Sequence, residues 1–256
     1  VPSDAGPGPS LNVDDLDWAT YRGNNSRTAS TAAEVSQRLF PVWIWEPDAA
    51  LLPTAPVAAS GRAFSAGNDG KVRAIDMDSG LSAWSYQTAG PIMQPPAIWN
   101  GRAYVGSADG YVYCLNVQTG SLLWRFRAAP IERRMMVYGS LASTWPVNSG
   151  VLVHDGVAYF AAGIVDYDGT YLYGVDAATG ELVWSNDTTG HLDSSLRKGV
   201  SAQGNLTVMK GALWMAGGNV LPPSPYDLKT GEYLGERDLG EGTPRSNRGE
   251  EIAVFR

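Results

Sequence analysis

Two segments carry the side chains best suited to chemistry. The first, Ala129 to Pro146, holds Arg133, Arg134 and Trp145. A guanidinium offers a planar fork of donors that can grip a carboxylate or phosphate through paired hydrogen bonds. An indole can stack on a ligand ring or a sugar. The same residues also admit a local reading, in which Arg133 pairs with nearby acids and Trp145 packs its own loop down. The second segment carries Asp187, His191, Asp193, Arg197 and Lys198, with Asp166 and Asp168 on a neighbouring stretch. Their oxygens suit Ca²⁺, yet the acids lack EF-hand spacing, so no metal site is assigned. His191 is one of two histidines and has no evident paired base or nucleophile, which favours a surface role over proton transfer. The candidate binding residues are therefore Arg133, Arg134, Trp145, His191 and Arg197, with no catalytic residue among them.

Composition narrows the classes further. The formal net charge of −7 argues against a broad nucleic-acid surface, which needs clustered Lys and Arg. Cys114 is the single cysteine, so an intrachain disulfide and multi-thiolate metal sites are excluded. No run of about 18 apolar residues exists to span a membrane as a helix. Residues 1–17 read as a flexible leader, its first ten residues small, polar and rich in Pro and Gly. It is either an ordinary terminus or the remnant of a processed signal sequence.

A repeat must position these loops. Asp76-Met-Asp-Ser-Gly80 precedes Trp84, Asn116-Val-Gln-Thr-Gly120 precedes Trp124, and Asp176-Ala-Ala-Thr-Gly180 precedes Trp184. A fourth copy, Asp227-Leu-Lys-Thr-Gly231, lacks its Trp. Upstream recur Gly61-Arg-Ala-Phe, Gly101-Arg-Ala-Tyr, Gly156-Val-Ala-Tyr and Gly211-Ala-Leu-Trp. Between the two landmarks lie Asp69-Gly70, Asp109-Gly110 and Asp168-Gly169, which are strong hairpin signals because Gly accepts positive φ. The runs between turns, such as Tyr111 to Asn116 and Leu122 to Phe126, are short and rich in β-formers. In the second repeat, strands are expected to begin near Pro96, Arg102, Tyr111 and Leu122. Four strands in about 40 residues is the signature of a β-propeller blade. One short helix is expected near Ala32 to Arg38.

The fold class is therefore all-β: four-stranded antiparallel blades at about 55–90, 91–130, 147–190 and 203–240, with a fifth beginning at 251–256. Residues 18–54 form an N-terminal segment in which Trp43-Ile-Trp45 looks like the outer strand of a further blade. Connections that leave strands two and four share one face. The interval from Trp84 to Gly101 is 17 positions, but Trp124 to Gly156 spans 32 and Trp184 to Gly211 spans 27. The long connections thus gather on one face, the usual binding side of a repeat protein.

The run Ala74 to Trp84, with its matches at Cys114 to Trp124 and Gly174 to Trp184, resembles the tryptophan-docking motif of the pyrroloquinoline quinone repeat family. The resemblance covers roughly residues 55 to 236. It implies that Trp84, Trp124 and Trp184 dock on neighbouring blades, with Gly80, Gly120, Gly180 and Gly231 in the structural motif. It also implies an incomplete ring of a seven- or eight-bladed parent, in the periplasm or secreted. The implied function is a non-catalytic scaffold for a protein or ligand, whose partner is another protein or the remaining half of the propeller. The alternative is part of a quinoprotein alcohol or sugar dehydrogenase using pyrroloquinoline quinone and Ca²⁺. Alcohol-oxidising members show adjacent cysteines, which one cysteine cannot supply.

Overall fold

The Asp/Asn-x-x-Ser/Thr-Gly segments fold as self-contained turns. Asp76 Oδ1 accepts hydrogen bonds from the Ser79 amide and hydroxyl at 2.9 and 2.7 Å. Asp176 and Asp227 hold Thr179 and Thr230 in the same way. Gly80, Gly120, Gly180 and Gly231 close these turns at φ of +70 to +76°, where a side chain would be strained. The Ser79 hydrogen bonds hold the Asp76 carboxyl below its usual range.

The computed structural model describes residues 14, 16–47, 51–164, 168–190, 199–202, 204–216, 223–235 and 252. Among the described residues, four blade sheets and one inserted hairpin follow in chain order, all antiparallel. The first holds β1 (Val57–Ala59), β2 (Arg62–Ala66), β3 (Lys71–Asp76) and β4 (Ser82–Gln87). The second holds β5 (Ala97–Trp99), β6 (Arg102–Gly106), β7 (Tyr111–Asn116) and β8 (Leu122–Arg127). A two-stranded hairpin follows, β9 (Arg134–Val137) and β10 (Ser140–Ser143). The third sheet holds β11 (Leu152–His154), β12 (Val157–Ala162), β13 (Tyr171–Asp176) and β14 (Leu182–Asn186). The fourth holds β15 (Thr207–Met209), β16 (Ala212–Met215) and β17 (Ser224–Asp227), with Tyr233 bridging to Tyr226 where a fourth strand would lie. β5 lies against both β1 and β11, so first strands face the common axis. This is a β-propeller arc of four blades. Among the described residues no strand joins the fourth blade to the first.

The tryptophans sit between blades. Trp84 Nε1 donates to Val117 O at 2.9 Å, and a Cβ on Gly120 would meet its ring at 2.6 Å. Trp124 does the same with Ala177 O and Gly180, and Trp184 with Leu228 O and Gly231. Trp43 completes the series, donating to Met77 O at 2.7 Å with its ring on Gly80. Within each of the first three blades the aromatic of strand two packs at a tilt against the Trp of strand four. The pairs Phe64–Trp84, Tyr104–Trp124 and Tyr159–Trp184 have centroids 5.9, 5.9 and 5.8 Å apart. A register shift falls one residue past the Trp partner in all three blades, adding local twist where the indole turns toward its neighbour.

The N-terminal segment forms a strap rather than the short helix expected at Ala32 to Arg38, which has no helical residue. So short a helix is marginal alone, and the hydroxyls of Thr31 and Ser36 bond the amides of Ala33 and Arg38 instead. Residues 18–29 cross the inner strands of all four blades. Trp18 bridges Ala58, Ala19 O receives the Ile98 amide, Asn25 Nδ2 reaches Val153 O, and the Val208 amide donates to Asn25 O. Arg27 is the anchor. Only 2% exposed, it donates to Leu206 O, Thr20 Oγ1 and Tyr21 O at 2.8–3.0 Å. Burial lowers its pKa to about 10. The strap touches the strands just before the β1–β2, β5–β6, β11–β12 and β15–β16 turns, so it occupies the face with the tight turns.

Candidate functional site

The opposite face is built around the inserted hairpin. Its base is tied to the β6–β7 turn, since the Ser143 amide donates to Ala108 O at 2.6 Å and the Val147 amide to Ser107 O at 3.1 Å. The Gly163 amide donates to Pro146 O, which joins the β12–β13 loop to the same platform.

Arg133 and Trp145 meet at this base. The guanidinium lies 4.5 Å from the Trp145 ring centroid, donates to Thr144 Oγ1 at 3.0 Å and approaches Asp168 at 3.4 Å. Trp145 is 5% exposed and donates through Nε1 to Asp168 O at 2.6 Å. Arg134 pairs with Glu132 at 3.2 Å. The structure thus groups Arg133 with Trp145 and leaves both arginine side chains exposed. His191 and Arg197 lie outside the described residues.

The tip of the hairpin presents an apolar surface. Tyr138 is fully exposed, Met136 is 70% exposed, and Ile131, Met135 and Leu141 are also exposed. The turn residues Tyr138 and Gly139 have φ of +47 and +80°, and Val137 pairs with Ser140, which is a type I′ turn. The β1–β2, β5–β6, β11–β12 and β15–β16 hairpins use the same geometry with Ser60, Asn100, Asp155 and Lys210 ahead of Gly. A bulky aromatic at this left-handed position is disfavoured, and burial does not compensate it here. Sequence reasoning missed Tyr138, although Tyr138-Gly139 between apolar runs is a legible hairpin signal.

Beneath the tip lies a cavity of about 440 Å³, a size suited to a small ligand or an anchoring side chain. Its walls include Leu52, Pro91, Met93, Ala108, Val137 and Ile164. Asn68, Ser140 and Asn148 supply the polar atoms. No charged side chain is among the described residues that line it. A second recess of about 310 Å³ adjoins it through Asn68, Pro91 and Ser140 and continues to Asp69, Gln87 and Thr88. Burial pushes the Asp69 carboxyl up, but hydrogen bonds from Arg73 and the Lys71 amide outweigh this and keep it ionised.

A family model for PQQ-type repeats, described as outer membrane protein assembly factor BamB, matches residues 41–144 and 93–254. The chain belongs to the PQQ-repeat family. No curated protein matches it significantly. Among solved structures, BamB from Moraxella catarrhalis is 21% identical, with a TM-score of 0.56 over 75% of this chain and 50% of that one. A quinohemoprotein alcohol dehydrogenase from Pseudomonas putida HK5 is 16% identical, with a TM-score of 0.69 over 89% of this chain and 42% of that one. A europium-containing methanol dehydrogenase is 14% identical, with a TM-score of 0.65 over 86% and 48%. At these identities the likeness is one of fold. The chain spans half or less of each of these structures.

The family prompts a test of fit for pyrroloquinoline quinone and Ca²⁺. The quinone is an anion bearing carboxylates, and Ca²⁺ takes oxygen ligands, carboxylates above all. The described residues lining the 440 Å³ cavity offer neither cations nor carboxylates. Among the described residues no group of three or more His, Cys, Asp or Glu is placed to hold a metal. The residues described in this PQQ-repeat cavity do not fit the pair.

Proposed function

We propose that this PQQ-repeat propeller is a non-catalytic, extracytoplasmic scaffold that engages a protein partner through the face carrying β9–β10. The observation that carries the reading is Tyr138, held fully exposed at a left-handed turn position over an apolar cavity. Exposed apolar groups gathered around a cavity mark a binding surface. Arg133, half-exposed beside Trp145, is placed to meet an acidic group of the partner. Location outside the cytoplasm is supported by the family description as an outer-membrane assembly factor. The dehydrogenase reading rests on fold likeness, and the described residues of the cavity supply no donor set for it.

A photo-crosslinking residue at position 138 of the full chain tests this in its native host, with position 155 on the opposite face as control. One dominant adduct from position 138, absent from position 155, supports the scaffold. No adduct from position 138, or equal adducts from both, overturns it. Addition of pyrroloquinoline quinone with Ca²⁺ should give neither a cofactor band nor dye-linked alcohol oxidation.

A further inference from the structure

The inserted hairpin leaves one backbone edge unpaired. Its two-residue turn makes Val137 and Ser140 a hydrogen-bonded pair, so bonds recur at Met135 with Ala142 and at Arg133 with Thr144. The Thr144 amide accordingly donates to Arg133 O at 3.0 Å. The Ser143 amide points the other way and fastens β10 to Ala108 O. By the same alternation the amides and carbonyls of Arg134 and Met136 point outward from β9. Among the described residues no third strand joins this sheet, and residues 131–136 are exposed without interruption. The outer strands of the first three blades are better guarded. β4, β8 and β14 each carry a register shift beside their Trp, which twists the edge away. The β9–β10 register is unbroken, and β9 has neither lysine nor proline to blunt it.

We propose that β9 takes up an extended segment of the protein partner as a third, antiparallel strand. The inference rests on the scaffold reading above. A helix spends its backbone groups internally and cannot supply this edge, whereas an extended chain presents amides and carbonyls at the same repeat. Incoming residues that bond Arg134 and Met136 place their side chains on the face of those two residues. The residues between them fall beside Met135, on the face where Val137, Ser140 and Ala142 wall the cavity. Apolar side chains suit that second set, since Met135 is exposed there and methionine adapts to varied neighbours. On the first face Arg134 spends one of its five guanidinium donors on Glu132 and keeps the rest for an acid. The segment is therefore an acidic, alternately apolar strand. Tyr138, next after the end of β9, extends the same contact.

Fluorescence anisotropy of the full chain with the labelled peptide Glu-Val-Thr-Val-Thr-Val-Glu tests the added strand. Its valines fall on the cavity face when its glutamate and threonine backbone groups bond the edge. Saturable binding is expected. N-methylation of the threonine amides should weaken it at least about tenfold, because two hydrogen bonds to the edge are lost. N-methylation of the valine amides, which point away from β9, should leave binding within about threefold. Met136→Pro deletes one outward amide and none of the hairpin's own bonds, and should weaken the unmethylated peptide about fivefold. Should Met136→Pro unfold, the two methylated peptides on the unaltered chain decide. No saturable binding, equal effects of the two methylation patterns, or binding that a folded Met136→Pro leaves unaltered overturns the proposal. A dimer in sedimentation velocity that Met136→Pro dissolves gives the edge to a second copy and overturns it too. Those outcomes leave the scaffold reading intact if position 138 still yields its adduct. Loss of the adduct refutes the scaffold whatever the peptides do.

Discussion

Removing Trp84 should cost far more than removing Trp43, although both indoles make the same docking contact. Trp84 is 9% exposed and held from two sides. Its own blade supplies Phe64 at 5.9 Å, and the next blade supplies the bare face of Gly120. An indole buries about 150–250 Å², worth about 4–6 kcal/mol at the usual coefficient and an upper bound. The lost hydrogen bond adds little. Val117 O keeps a second donor, Arg62 Nη1 at 2.8 Å, so no orphan carbonyl is left. Trp84→Ala is therefore expected to cost about 3–4 kcal/mol, within the usual range for deleting a buried aromatic.

Trp43 has one side only. Its ring covers Gly80 and its Nε1 bonds Met77 O, but Val42 and Ile44 beside it are 83% and 79% exposed. About half the burial predicts about 1–2 kcal/mol for Trp43→Ala. Urea unfolding followed by far-ultraviolet circular dichroism measures both. Trp84→Phe, which keeps a ring and loses the N–H, should fall between them. Equal losses for the two alanine variants, or a loss below about 1 kcal/mol for Trp84→Ala, would refute wedging between blades as the source of stability.

Three further outcomes follow from single sites. Arg27→Met strips the donors from Leu206 O, Tyr21 O and Thr20 Oγ1, and should cost about 2 kcal/mol. Hydrogen exchange should then speed up first in residues 18–29, and unchanged protection there would sink the anchoring role. Burial pushes the Tyr159 and Tyr173 hydroxyls up to about 12, above their ordinary value of 10. Their contribution is complete below the unfolded value and is lost as pH rises from 10 toward 12. Arg27 acts with the opposite sign, because its lowered pKa means the unfolded chain binds the extra proton between about 10 and 12.5. With several tyrosines against one arginine, the urea midpoint should fall above pH 10, and a rising midpoint would contradict their burial. Tyr138→Asn places the favoured residue in the type I′ turn and should stabilise by about 0.5–1 kcal/mol while removing partner engagement. A destabilised variant would show that Tyr138 packs rather than projects.

Much of the fold was legible because its signals are local. A carboxylate, a hydroxyl two or three residues on and a glycine at positive φ specify the Asp76–Gly80 turn without reference to the rest of the chain. The second blade reads the same way, with strands at Ala97, Arg102, Tyr111 and Leu122. The strap was not legible. Its bonds run across 128 residues to Val153 and 182 to Val208, and it has no hydrophobic period to betray them. The site was half legible. Insertion lengths pointed to the face, but charge drew the eye to Arg133 and Arg134, which find partners in Asp168 and Glu132. Exposure of Tyr138 is a property of packing, and the residue type does not announce it.

The departure from local preference at Tyr138 therefore carries more weight than any motif. Across the blades the repeat satisfies its own rules: indoles are paired with glycines, turn acids with amides, and left-handed positions with small, polar or flexible residues. A repeat under selection for packing alone would drift toward the same solutions in its insertion. Instead the hairpin keeps an aromatic in a strained turn. It costs stability in the isolated chain, and local conflicts of this kind concentrate where function is exerted. The cost is recovered by the arrival of a partner that covers Tyr138. If Tyr138→Asn gains stability in the isolated chain yet loses the partner, the binding surface accounts for the departure.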